Sequence, residues 1–170
     1  KEFRYNNITQ PNRNRLLYID STVDGMKTGH TEAAGYCLIS SALRNDRRLL
    51  SVVLGTKSDS ARASESQKLL NWGFITYDAV TVFSKGQEVA SLRVWKGAQN
   101  QVKAGFTANF MIAVPKGFAE KVKSEFVAQP RLIAPIEAGQ KLGLLKVSVD
   151  GKPYGEYPVI ALEAVPLAGF

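Results

Sequence analysis

The chain is poor in the residues that most often carry redox or metal chemistry, with one cysteine and one histidine in 170 residues. A single cysteine, Cys37, excludes an internal disulfide. It lies in an apolar run, so it reads as a buried, inert thiol, and the redox compartment stays open. No apolar stretch reaches the ~20 residues of a membrane span. The N-terminus lacks a charged segment followed by an apolar core and a small-residue cleavage site, so any export signal is expected to be already removed or to lie upstream. Clustered positive charge is lacking too. The net charge is +7, but the Lys and Arg residues are scattered among Glu and Asp, which argues against a nucleic-acid partner. An anionic cell wall or membrane surface suits this charge at least as well. Nothing in the pattern calls for a metal or a cofactor.

What is present is apolar material, 45% of the chain, enough for one domain or two small ones. Residues 1–22 mix Asn, Arg and aromatics with little period and read as an irregular segment. Ala33 to Leu43 and Arg47 to Gly55 read as strands buried on both faces, paired antiparallel through a turn at Asn45-Asp46. Ser58, Asp59 and Ser60 offer N-caps to a helix running to about Tyr77. Ala63, Leu70, Phe74 and Tyr77 mark its packed face, with Arg62, Glu65 and Lys68 nearer water. One helix covers one face of such a sheet, so a further covering segment is expected.

Beyond Tyr77 the pattern changes to short β-rich runs: Ala79 to Phe83, Glu88 to Trp95, Gln101 to Phe106, Phe110 to Val114, Lys121 to Val127, Lys141 to Val149 and Tyr154 to Val165. Runs of this length and spacing predict a small sandwich or barrel. Asp150-Gly151 predicts a hairpin with a loop longer than two residues. The expected organisation is α+β, with residues 1–77 and 78–170 as two domains.

The run Lys27-Thr28-Gly29-His30-Thr31 carries the chemistry. A strand edge that presents an ammonium, a hydroxyl and a side-chain-free backbone can bind an extended peptide ending in a carboxylate, which adds to the edge through main-chain hydrogen bonds. Lys27 supplies charge, Thr28 a donor and Gly29 the clearance for close backbone approach. Taken alone, the triplet reads sooner as a turn at Asp24-Gly25 followed by a solvated lysine, since so short a motif recurs by chance.

The surrounding residues extend the signal. Lys1-Glu2-Phe3, Asn6-Asn7-Ile8, Asn12-Arg13-Asn14, Val23-Asp24-Gly25, Lys27 to Thr31 and Ala34-Gly35-Tyr36 together resemble the low-molecular-mass penicillin-binding proteins. These are serine D-alanyl-D-alanine carboxypeptidases of the penicillin-binding protein 5 type. The resemblance continues through Arg62, Glu65-Ser66, Lys68 to Leu70 and Trp72-Gly73-Phe74, then more loosely to Val165-Pro166. It implies the C-terminal part of a serine β-lactamase/transpeptidase-like domain, antiparallel strands with a covering helix, followed by a small all-β sandwich-like domain. It further implies that Lys27, Thr28, Gly29 and His30 lie on the active-site strand, with Lys27 on the substrate or β-lactam carboxylate. Arg62 and Arg13 match cleft-side arginines of the family. Cys37 stands where the family usually carries a polar residue, a departure that bears on packing.

Enzymes of this class acylate the serine of a Ser-x-x-Lys motif and use a Ser-x-Asn motif in proton transfer. No serine here has Lys three residues on or Asn two residues on. Tyr5-Asn6-Asn7 fits a Tyr-x-Asn pattern formally but aligns with a non-catalytic segment. The chain is therefore expected to be inactive alone, with the nucleophile and its lysine upstream. The implied partners are the peptidoglycan stem peptide, β-lactams, the N-terminal segment of the same protein, and a membrane surface reached through a C-terminal helix beyond this chain. The implied location is the periplasm, at the outer face of the cytoplasmic membrane. The alternative is a non-catalytic wall-binding or scaffold module that retains the strand as structure.

Overall fold

A computed structural model describes residues 1–169 as two compact units divided after Tyr77. In the first, β1 (Glu2–Tyr5) and β2 (Ile8–Pro11) form a hairpin in register Tyr5↔Ile8. Asn6 and Asn7 turn it with φ of 46° and 62°, the left-handed pair that a two-residue hairpin needs and asparagine tolerates. This corrects the irregular reading of residues 1–22. Both faces of the hairpin are exposed, so no alternation of apolar and polar residues marks it. A single helical turn, α1 (Leu16–Ile19), follows and buries Leu16.

Three antiparallel strands come next in spatial order β3 (Val23–Thr31), β4 (Gly35–Arg44) and β5 (Arg47–Thr56). Asn45 and Asp46, with φ of 48° and 60°, close the β4–β5 hairpin where sequence placed a turn. Helix α2 (Asp59–Thr76) is capped by Ser58, whose hydroxyl accepts from Ala61 N. It buries Ala63, Ser66 and Leu70 against the side of the sheet that holds Leu38, Ser40 and Ala42. Gly73 continues that helix face; a Cβ there would reach Leu49 Cδ1 at 2.9 Å, so the helix packs close.

The opposite side of the sheet is open. Ile39, Leu50, Val52 and Leu54 are 37%, 61%, 56% and 71% exposed, so the two strands are not buried on both faces within this chain. Arg62 departs from expectation in the other sense: it is buried rather than near water.

The second unit is all β apart from a 3₁₀ turn at Ala119–Lys121. Strands β6 (Tyr77–Phe83) and β9 (Phe110–Pro115) pair with each other. The other strands are β7 (Glu88–Trp95), β8 (Gln101–Gly105), β10 (Val122–Ala128), β11 (Leu132–Ile133), β12 (Lys141–Val149) and β13 (Lys152–Ala161). They form one sheet in the order β10-β12-β13-β8-β7-β11. The two sheets share one core, in which Ile112 and Val114 meet Val102, Leu142, Leu145 and Val159. Phe83, Phe106, Phe110 and Tyr157 form an aromatic chain along it, with centroids 6.1, 4.6 and 4.6 Å apart.

The short strand β11 has no counterpart in the sequence reading, because two residues are too few for an alternation to register. The Asp150-Gly151 loop is shorter than expected. Val149 pairs directly with Lys152, and the two turn residues have φ of 52° and 74°. The register irregularity falls within the strands, at Val147/Ser148, rather than in the loop.

Candidate active-site edge

Strand β3 pairs only with β4, so its outer edge is open among the described residues. Beside it lies a cavity of about 790 Å³ lined by residues of β2, the segment leading to α1, β3, β4 and the start of α2. All six residues singled out from sequence line it: Arg13, Lys27, Thr28, Gly29, His30 and Arg62. Sequence reasoning did not assign Asn12, Arg15, Tyr36 or Asp59, which share the lining. Asp59 was legible as an acid three residues before Arg62 on a helix, the spacing of neighbours on one face.

Local structure fixes each wall. Asn14 is buried; its Oδ1 accepts from Leu16 N at 3.1 Å and its Nδ2 donates to Gly25 O at 3.0 Å. Asn12 Oδ1 accepts from Asn14 N at 2.9 Å. These bonds tie the Arg13 loop both to α1 and to the start of β3. His30 stacks on Tyr36 with centroids 3.9 Å apart at 17°, and its Nδ1 lies 3.1 Å from Gly35 O. The register His30↔Tyr36 makes the two rings cross-strand neighbours.

Arg62 reaches in from the first turn of α2. Its Nη1 donates to Gly29 O at 3.1 Å and Cys37 O at 3.4 Å, and its Nη2 to Arg13 O at 3.5 Å and to Asp59 Oδ1. The guanidinium also lies 5.5 Å from the Tyr36 ring centroid. One buried side chain therefore joins β3, β4 and the Arg13 loop.

Charge in the cavity is one-sided. Arg13, Arg15, Lys27 and Arg62 face a single acid, Asp59, which pairs with Arg62 and lies 3.7 Å from Arg15. Lys27 donates to the carbonyl of its neighbour Thr28 and has no acidic partner among the described residues. Such a recess attracts an anion. Gly29 has ordinary strand geometry, and a Cβ on it would meet only Cys37 Cβ at 3.9 Å. No packing among the described residues demands glycine there; the space beside it is open. Cys37 itself is half-buried, not buried as expected, with Sγ 3.6 Å from Ala34 O. Its place opposite Gly29 on β4 leaves it nothing bulky to hide beneath.

A family model described as the penicillin-binding protein 5 C-terminal domain matches residues 77–167, and one described as D-alanyl-D-alanine carboxypeptidase matches residues 1–58. The chain belongs to the penicillin-binding protein 5 family. Among its relatives, D-alanyl-D-alanine carboxypeptidase DacC of Escherichia coli is 42% identical over 172 residues, covering 100% of this chain and 43% of that protein. DacA of Haemophilus influenzae is 41% identical, covering 99% of this chain and 44% of that protein. The crystal structure of penicillin-binding protein 5 from Haemophilus influenzae superposes with a TM-score of 0.80 at 39% identity, over 98% of this chain and 49% of that one. The chain thus spans less than half the length of these family members. The α+β architecture, antiparallel strands under a helix followed by a β-rich unit, is that of the penicillin-binding protein 5 structure.

Proposed function

We propose that this chain supplies the carboxylate-binding wall of a serine D-alanyl-D-alanine carboxypeptidase, and that the Ser-x-x-Lys and Ser-x-Asn motifs it lacks come from the preceding part of the same protein. The observation that carries this reading is the open edge of β3, where an uncompensated Lys27 stands two residues from a glycine whose Cβ space is unfilled. Residues 1–77 then belong to the transpeptidase-like catalytic domain and residues 78–170 to a β-rich accessory domain.

In the reaction so assembled, the stem peptide lies along β3 as an added strand, and its terminal carboxylate meets Lys27 and the hydroxyl of Thr28. Arg62 holds the Gly29 and Cys37 carbonyls in place and adds positive field, while Arg13 and His30 bound the recess. The serine oxygen bonds to the penultimate D-alanine carbonyl carbon as its proton leaves through the neighbouring lysine. The peptide C–N bond breaks, that proton reaches the departing amine, and D-alanine is released. Water then hydrolyses the acyl-enzyme. A β-lactam carries a carboxylate and an amide at similar separation, so it acylates the same serine. With that substrate and those antibiotics the protein works in the periplasm, and its site of action there is the outer face of the cytoplasmic membrane.

The test is denaturing mass spectrometry of the protein that contains this chain after incubation with benzylpenicillin. A polypeptide heavier by one antibiotic, modified at a Ser-x-x-Lys serine, is expected. An unmodified protein that still binds peptidoglycan would overturn the enzymatic reading in favour of a wall-binding module.

A further inference from the structure

On the outer face of the second unit, Trp95 of β7 is 48% exposed and Ile133 of β11 is 50% exposed. The two are register partners in a parallel pair, so their side chains stand on the same face. Strand alternation puts Arg93 in the same row as Trp95, and Arg131, exposed, stands two residues before Ile133 in the segment that leads into β11. The Arg93 guanidinium lies 4.1 Å from the Trp95 ring centroid. Arg93 pairs across with Gln101 of β8, and Lys103 follows on that face two residues on. Leu167, 56% exposed, bridges to Gly97, two residues past Trp95.

Among the described residues of the second unit, Trp95, Ile133 and Leu167 stand about half exposed, and the cations around them outnumber the acids. Arg93, Lys103 and Arg131 are basic. Among the acids of the same segments, Glu88 and Glu137 lie five and four residues along the chain from Arg93 and Ile133. Glu163 follows Leu162, whose N–H donates to Lys103 O at 2.9 Å.

We propose that this face docks on an anionic lipid bilayer. The combination of side chains selects this occupant. An indole prefers the headgroup boundary, Ile133 and Leu167 extend aliphatic surface beside it, and the arginines pair with lipid phosphates while their stems lie along the apolar groups. A soluble polyanion would use the cations but gain little from the exposed aliphatic groups. The face is carried on a hydrogen-bonded sheet, so it presents these groups together without ordering a disordered segment on binding. The inference stands on this unit alone and is independent of the carboxypeptidase reading.

The test uses the full 170-residue chain with vesicles of phosphatidylcholine alone or with phosphatidylglycerol, read by co-sedimentation and tryptophan emission. Because Trp72 is the other tryptophan, Trp72→Phe isolates the signal of Trp95, and Trp95→Phe serves as its control. Expected are binding to the anionic vesicles only, a blue shift of Trp95 emission, weakening as salt rises, and about a fivefold loss of affinity for each of Arg93→Gln and Arg131→Gln. Unchanged thermal unfolding of the variants shows that they remain folded. Equal binding to neutral vesicles, an unshifted Trp95, or binding that the arginine variants leave intact would overturn the proposal. Retention by heparin or single-stranded DNA without vesicle binding would reassign the face to a soluble polyanion and overturn it equally.

Discussion

Arg62 places its guanidinium inside the protein, where it bonds three backbone carbonyls and Asp59. Its position in the first turn of a helix is electrostatically unfavourable, and the bonds to Gly29, Cys37 and Arg13 explain why it stands there. Arg62→Ala leaves those carbonyls without their charged donor, and we expect a loss of about 3 kcal/mol in the first unit. Urea unfolding followed by Trp72 fluorescence in a Trp95→Phe background measures it; a loss below about 1 kcal/mol would mean that Arg62 is not the tie described. A second charged group sets the acid limb of stability. Burial opposes ionisation of Asp20, yet the hydroxyl and N–H of Thr22 and the Arg44 guanidinium at 2.9 Å outweigh it and hold the carboxyl below its ordinary 3.8. A lowered folded-state value means stability that is present above pH 4 and is lost as pH falls through the folded value. Asp20→Asn should therefore lower the unfolding temperature at pH 7 while flattening its decline between pH 4 and 2, as thermal scans across that range would record.

At the level of elements, the turns decide how the edge is presented. Gly35 begins β4 after the tight connection from β3, with φ of 66°, and a Cβ on it would sit 2.9 Å from Thr56 O. Gly35→Ala combines a left-handed conformation with a backbone clash. We expect it to cost about 2 kcal/mol and to weaken the His30–Tyr36 stack; thermal unfolding together with the His30 ring chemical shifts checks both. Strands and helix were legible in the sequence where apolar runs were long and bounded by turn or cap residues. Asn45-Asp46, Ser58 and the strand Glu88–Trp95 are examples. The N-terminal hairpin was not legible because neither face is buried, so register is set by Asn6-Asn7 alone. The two-residue turn at Asp150-Gly151 was obscured by the extra residue Tyr154 in β13, where two steps of that strand face the single step Val147–Ser148 of β12, so the strand read from the sequence began at Tyr154 rather than Lys152.

For the molecule as a whole, the candidate site was legible through a short motif supported by a family resemblance across most of the chain. What sequence did not convey was the cross-strand geometry: Tyr36 against His30, Asp59 against Arg62, and the open space beside Gly29. These depend on register and on where a helix start meets a sheet edge, neither of which a local pattern encodes. The apolar side of the β3–β4–β5 sheet, exposed at Leu50, Val52 and Leu54, marks where the expected covering segment would pack. The central claim is that Lys27 meets the substrate carboxylate. The direct measurement is the second-order rate of acylation by benzylpenicillin and by its methyl ester, for the serine-bearing protein and its Lys27→Ala variant. Loss of a charge-assisted contact predicts a fall of roughly 100-fold for the free acid and a much smaller change for the ester. An equal fall for both would contradict the carboxylate role and move Lys27 to some other function in the site.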